Sequence, residues 1–260
     1  MSRLKIFAKG NLDVHDSLHS LGRGSNVQWN GINEILRDRH SRHHALVRHE
    51  TWVRSDALLE ATGKIPDELL ARNLPLQPHG AASQFSRALF NTDADVIVLS
   101  LQPDLQVIPL RHRRHGYLLF PQNLKSWSPE NRDWLHSDFV AEDILGVDAS
   151  MANFARIIGL VRAHTNAPIL VYNVSSIVPG DTVHAYDGME ETFATRIRRF
   201  NLGLIELSRD TGVSIIDVDA VVARQGANVL KFDTTHLNGQ GCRAVAGEVV
   251  RVLADLGCLS

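Results

Sequence analysis

The sequence predicts an α/β chain: a doubly wound, mostly parallel five-stranded sheet with helices on both faces. Three observations carry that reading. Short apolar runs suited to buried strands alternate with segments of helical period. The linking helices are long enough to serve as crossovers between parallel strands. At 260 residues, with 44% apolar and 22% charged residues, the chain can bury a large core in one α/β domain.

The elements follow in order. LKIFA (4–8) reads as the first strand, and VQWNGINEILRDR (27–39) reads as a helix. ALVRHETWV (45–53) reads as the second strand, followed by the helical SDALLEATG. DVIVLSL (95–101), APILVYNV (167–174) and VSIIDVD (213–219) complete the five. MANFARIIGLVRAHT precedes the fourth strand, TFATRIRRFNLGLIELSRDT the fifth, and GQGCRAVAGEVVRVLADLG forms the last helix. Residues 102–145 break the alternation and are expected to form an inserted lid or substrate-binding segment of a single domain spanning 1–260. Its Trp127 and Trp134 fit either a small packed cluster or that lid.

A net charge of −2 supplies no field that would draw the chain to nucleic acid or an acidic membrane, so neither is expected as a partner. No run approaches eighteen apolar residues, and no signal peptide is read at the start. Cys242 and Cys258 lie on one expected helix, more than about 20 Å apart, too far to bridge. Two lone thiols fit a reducing compartment, so the expected location is the cytoplasm. The basic runs RHSRHH (39–44) and RHRRH (111–115) read as solvated loops, the second with the option of meeting an anionic substrate.

In open parallel sheets, ligands bind beyond the carboxyl ends of the strands. The loop after the first strand, KGNLDVHDSLHSLGRG, holds Asn11, Asp13, His15, Asp16 and Ser17. Near the other end, KFDTTHLNGQG puts Asp233 and His236 three apart, just ahead of a glycine-containing helix start. Asp and His at that spacing can meet on one loop, the carboxylate fixing the imidazole as a general base.

These two stretches resemble the SGNH/GDSL hydrolases. The final block of that family is Asp-x-x-His before a polar helix start, matched by Asp233, His236 and Asn238–Gly241. Its first block is Gly-Asp-Ser-Leu with glycines and a Trp downstream, matched by Asp16-Ser17-Leu18, Gly22, Gly24 and Trp29. The resemblance implies an SGNH-hydrolase-like, flavodoxin-like three-layer fold and a catalytic triad of Ser17, His236 and Asp233. It implies an ester hydrolase or acyltransferase acting on a small polar or anionic molecule, with no cofactor. Asn11, Arg54, Gln102 and Asp104 are the expected oxyanion or substrate-binding residues. A second register sets Gly10-Asn11 on the family's Gly-Asp and Leu12 on its serine. The family's Gly after strand two and Asn after strand three are missing here, replaced by HETWVRSDAL and LSLQPDL. Two alternatives therefore stay open: a non-hydrolytic module holding a small anion with Arg54 and RHRRH, and metal-assisted chemistry at Asp13 and His15 with an acid such as Glu50. Oligomeric state is not readable.

Overall fold

A computed structural model describes residues 2–23, 26–51, 54–72, 74–76, 80–177 and 191–260. The chain opens with β1 (Ser2–Gly10), α1 (Leu12–Leu18), the hairpin of β2 (Leu21–Arg23) and β3 (Asn26–Trp29), α2 (Ile32–Arg39) and β4 (His43–Thr51). Three short helices, α3 (Ser55–Glu60), α4 (Asp67–Arg72) and α5 (Ala81–Gln84), precede β5 (Val96–Ser100). After it come α6 (Gln102–Gln106), β6 (Leu110–His112), β7 (Leu118–Leu119), α7 (Pro129–Asp138) and β8 (Phe139–Ala141). The remainder is α8 (Val147–Arg162), β9 (Ile169–Tyr172), α9 (Phe193–Thr211), β10 (Ser214–Ile216), α10 (Val218–Gln225), α11 (Ala227–Leu230) and α12 (Gly239–Asp255).

The five predicted strands form one sheet in the order β10-β9-β5-β1-β4. The β1–β5, β5–β9 and β9–β10 pairs are parallel. His49 near the end of β4 bonds the carbonyl of Gly10 at the end of β1, so β4 runs the same way. All of Val96–Ser100 is buried, as a central strand covered on both faces requires, and this explains its unbroken apolar run.

Two compact units divide the chain, one of residues 1–49, 93–102 and 166–260 and the other of 50–92 and 103–165. In the first, Leu4, Ile6 and Ala8 of β1 alternate onto a core with Val14 and Leu18 of α1, Ile32 and Leu36 of α2, and Val245, Val249 and Leu253 of α12. The alternation of two along the strand and of three or four along the helices is the pattern visible in the sequence. In the second unit, Trp127 and Trp134 are buried with Leu69, Phe85, Leu119 and Phe139. The unusual 102–145 stretch thus carries β6, β7 and β8 as a three-stranded antiparallel sheet over its own core, together with 50–92. RHRRH is the β6 end and its turn: Arg111 pairs Glu142 and Glu60, and His112 is buried.

One local expectation is corrected. Residues 27–29 of the expected 27–39 helix belong to β3, because Gly31 adopts φ 86° and stops the helix from beginning before Ile32. Of the second predicted strand, Trp52 and Val53 lie outside the described residues. Both cysteines are free, Cys242 within the core. No helix among the described residues is long and apolar enough to cross a membrane.

The entrance to α12 is tightly built. A Cβ on Gly241 would lie 2.2 Å from the carbonyl oxygen of Leu230, which is itself held by the Asn238 N–H at 2.9 Å. Neither atom has room to retreat. Gly241→Ala is therefore expected to destabilise the protein by about 3 kcal/mol in urea melts, the upper end of ordinary overpacking.

Candidate functional site

The site is assembled at the carboxyl edge of the first unit's sheet. Register sets Lys9 beside Leu99 and Ser100 beside Tyr172, so Gly10, Ser100 and Tyr172 end neighbouring strands. From the other end of the chain comes a small closed loop. Lys231 and Leu237 form a β-bridge, with Phe232 N–H bonded to the His236 carbonyl. Asp233 Oδ1 accepts the N–H groups of Thr235 and His236 at 2.9 Å each. The imidazole Nδ1 lies 3.0 and 2.9 Å from the two carboxylate oxygens of Asp233. Burial alone would raise the pKa of Asp233, but those N–H donors and the imidazole outweigh it and hold the carboxyl below its ordinary value. With Nδ1 bonded to Asp233, Nε2 of the half-exposed His236 is left to exchange a proton.

Lys231, absent from the sequence-based site, holds this loop from beneath. Its buried ammonium donates to the carbonyls of Thr234 at 2.6 Å, Ile177 at 2.7 Å and Ser175 at 3.4 Å. Burial pushes its pKa down to about 8, against the attraction of Asp233 and Asp219. A Lys two residues before an Asp-x-x-His is no signal by itself, since most lysines are exposed.

The expected nucleophile is where the correction lies. Ser17 sits on the core face of α1 with Val14 and Leu18 and is 0% exposed. Its hydroxyl lies 2.8 and 3.1 Å from the Asp13 and Val14 carbonyls and 3.0 Å from the Tyr172 hydroxyl. Among the described residues no hydrogen bond joins it to His236. The cause is helical geometry: α1 begins at Leu12, so Ser17 is about 7.5 Å farther along the helix and turned onto its inner face. Leu12, 38% exposed at the helix start, takes the place that Gly10-Asn11 would give the family's serine.

Asp13 points inward. Its Oδ2 accepts the Ser100 hydroxyl at 2.5 Å, Ser100 Oγ accepts the Gln102 N–H at 3.0 Å, and Asp13 Oδ1 is buried without a partner among the described residues. Burial pushes the carboxyl up to about 6, the Ser100 bond and the Val14 N–H opposing it. The charge of Asp16 adds to the rise, and that of His236 opposes it. Asn11 is the N-cap residue of α1, its side-chain oxygen also buried and unpartnered among the described residues. His15 turns away from Asp13: its Nδ1 is 2.8 Å from Asp16, and its ring stacks on His19 at 4.8 Å and meets His49 at 5.1 Å. Burial pushes His49 down to about 4. Asp13 and His15 therefore engage different partners, and Glu50 is itself buried.

Two further expectations are corrected by burial. The Asp104 carboxylate is 2.7 Å from the Ser55 N–H, 2.5 Å from its hydroxyl and 2.6 Å from the Ser150 hydroxyl. Arg54, 2% exposed, donates to Asp56, Asp143 O and Val107 O. Both are internal struts of the second unit, with no face left for substrate. Gln102 remains in the first unit, 2% exposed at the end of β5.

Among the described residues, one group of three, Glu68, His112 and His115, offers donors within 4.8 Å of one another. Its chemistry opposes a metal. His112 Nδ1 accepts the N–H groups of Arg114 and His115 at 3.1 Å, which places the proton of the neutral ring on Nε2, facing Glu68 at 3.1 Å. Metal-bound histidines instead donate from their second nitrogen.

In sequence, no family model and no curated protein matches the chain. In structure, it resembles a lipolytic protein of the G-D-S-L family from Veillonella parvula, with TM-score 0.51, 11% identity, and 97% of this chain and 99% of that one covered. The chain has the GDSL-hydrolase fold. Two further likenesses agree, each with TM-score 0.51. An α/β hydrolase enzyme from the metagenome of Lake Arreo, Spain, is 13% identical, covering 99% of this chain and 96% of that one. An acetylxylan esterase from Geobacillus stearothermophilus is 10% identical, covering 95% and 93%. Within the GDSL fold, the Asp233–His236 loop is the part that follows the expected pattern, and the α1 entrance departs from it.

Proposed function

We propose that the chain hydrolyses an ester-type bond of a small polar molecule at the carboxyl edge of its sheet, with His236 as general base and water as nucleophile. The observation that carries this is the imidazole bonded through Nδ1 to both oxygens of Asp233, with Nε2 unengaged among the described residues. Nε2 takes a proton from water as the oxygen attacks the acyl carbon, giving a tetrahedral oxyanion. The C–O bond to the alcohol then breaks, and the proton on Nε2 passes to the departing alkoxide. An acceptor alcohol in place of water would make the same step an acyl transfer. The N–H groups of Leu12 and Asp13 at the start of α1 are the donors for the oxyanion, whereas Gln102 is 2% exposed and its own N–H is bonded to Ser100 Oγ. Water is preferred to Ser17 because that hydroxyl would have to leave three partners and the core.

The second reading, binding without turnover, is favoured by one observation: Leu12 in the serine's place. It keeps the polar ligand but loses Arg54 as an anion anchor. Incubation with aryl acetates and short acyl esters is expected to show turnover without labelling by a serine-reactive fluorophosphonate. Labelling at Ser17 would replace water with the serine. No turnover by folded protein across such a panel, with ligands that still raise Tm, would leave the binding reading.

A further inference from the structure

The run RHSRHH has a place in the fold that the hydrolytic site does not use. Arg39 closes α2, His40 caps it, Ser41 and Arg42 make the turn, and His43 starts β4. Because β4 runs parallel to β1, its first residue lies at the sheet edge opposite Asp233 and His236. Arg39, His40, Ser41, Arg42 and His43 line a cavity of about 550 Å³ together with the buried Leu259 and with Ser260.

We propose that this cavity binds the phosphate group of inorganic phosphate or a small phosphomonoester. Two observations support it. Arg39 and Arg42 are exposed, line the same cavity and form no ion pair among the described residues. His43 lines the cavity at only 9% exposure, and its Nδ1 is buried with no hydrogen-bond partner among the described residues. A ring nitrogen left bare costs about 1–3 kcal/mol, which a bound oxygen would recover once the ring turns that nitrogen to the cavity. The dipole of α2 favours cations at Arg39 and His40, but its effect falls off within the last turn and does not account for Arg42 and His43 beyond it. Two guanidinium forks match the double charge and planar pairs of oxygens that phosphate presents, and a ring N–H of His43 adds a third donor. The end carbonyls of α2 oppose an anion by roughly half a charge, less than the two arginines supply.

Titration of the intact protein with sodium phosphate, against chloride and sulfate at equal ionic strength, tests the site. Phosphate is expected to raise Tm saturably, and calorimetry to give a Kd at least about tenfold weaker in both Arg39→Gln/Arg42→Gln and His43→Gln. Ester turnover is expected to stay unchanged in the arginine pair, whose side chains are exposed and remote from His236. Glycerol 3-phosphate separates the sources: tighter binding than inorganic phosphate assigns a monoester, and equal binding assigns the free anion. No stabilisation beyond chloride, or stabilisation surviving intact in the arginine pair, overturns the proposal.

Discussion

His236→Ala is expected to lower ester turnover by ~10²–10⁴-fold, the range that a positioned general base contributes, with little change in Tm. The residue is half exposed, and among the described residues its side chain bonds only neighbours in its own loop, Asp233 and Thr235. Asp233→Asn should follow it closely, because an amide that donates toward Nδ1 would favour the wrong tautomer. It should also cost some stability, since Asp233 Oδ1 holds the Thr235 and His236 N–H groups. Ser17→Ala is the decisive contrast. Removing that hydroxyl leaves the Tyr172 phenol short of a partner in the core, so a loss of about 1 kcal/mol in stability is expected, with turnover retained. Steady-state kinetics on all three variants, alongside thermal melts, separates the cases. A Ser17→Ala enzyme as inactive as His236→Ala, yet folded, would return the serine to the mechanism.

Asp104→Ala should be the most damaging change in the second unit, about 3 kcal/mol at pH 7. It strands the Ser55 N–H and hydroxyl and the Ser150 hydroxyl in a buried site. The pH dependence has a definite sign. Burial pushes Asp104 up to about 6, with the Ser150 and Ser55 bonds opposing that rise, from a value of 3.8 in the open chain. A raised carboxyl favours the folded state most fully below the open-chain value, and that contribution is lost as pH rises through about 6. The gap between wild type and Asp104→Ala should therefore widen as pH falls from 7 towards 4. Urea melts of both proteins at several pH values measure it. A gap that narrows over that interval would show that Asp104 is ionised throughout.

How far the sequence reached can be judged residue by residue. The five strands and the long helices were legible because burial imposes a period of two or of about three and a half on neighbouring residues. Thr192 at the N-cap of α9 and Asn238 at that of α12 mark helix starts where the pattern put them. The Asp233–His236 pair was legible for the same reason, since both partners lie within one turn of chain. The division into two units was not, because Trp127 and Phe85 belong to one core although 42 positions separate them.

By itself, then, the sequence determined what is local: the strands, the crossover helices and the bonded Asp233–His236 pair. Tertiary structure alone decided which polar side chains face the site. Starting α1 at Leu12 fixes the phase of the helix, and that phase turns Ser17 onto the core beneath Tyr172 while carrying Asp13 to Ser100. The burial of Arg54, Asp104 and Lys231 was settled the same way, by partners distant in the chain. Each residue advances a helix by about 100°, so one position in a helix start redirects every side chain after it. No local pattern in HDSL records that choice.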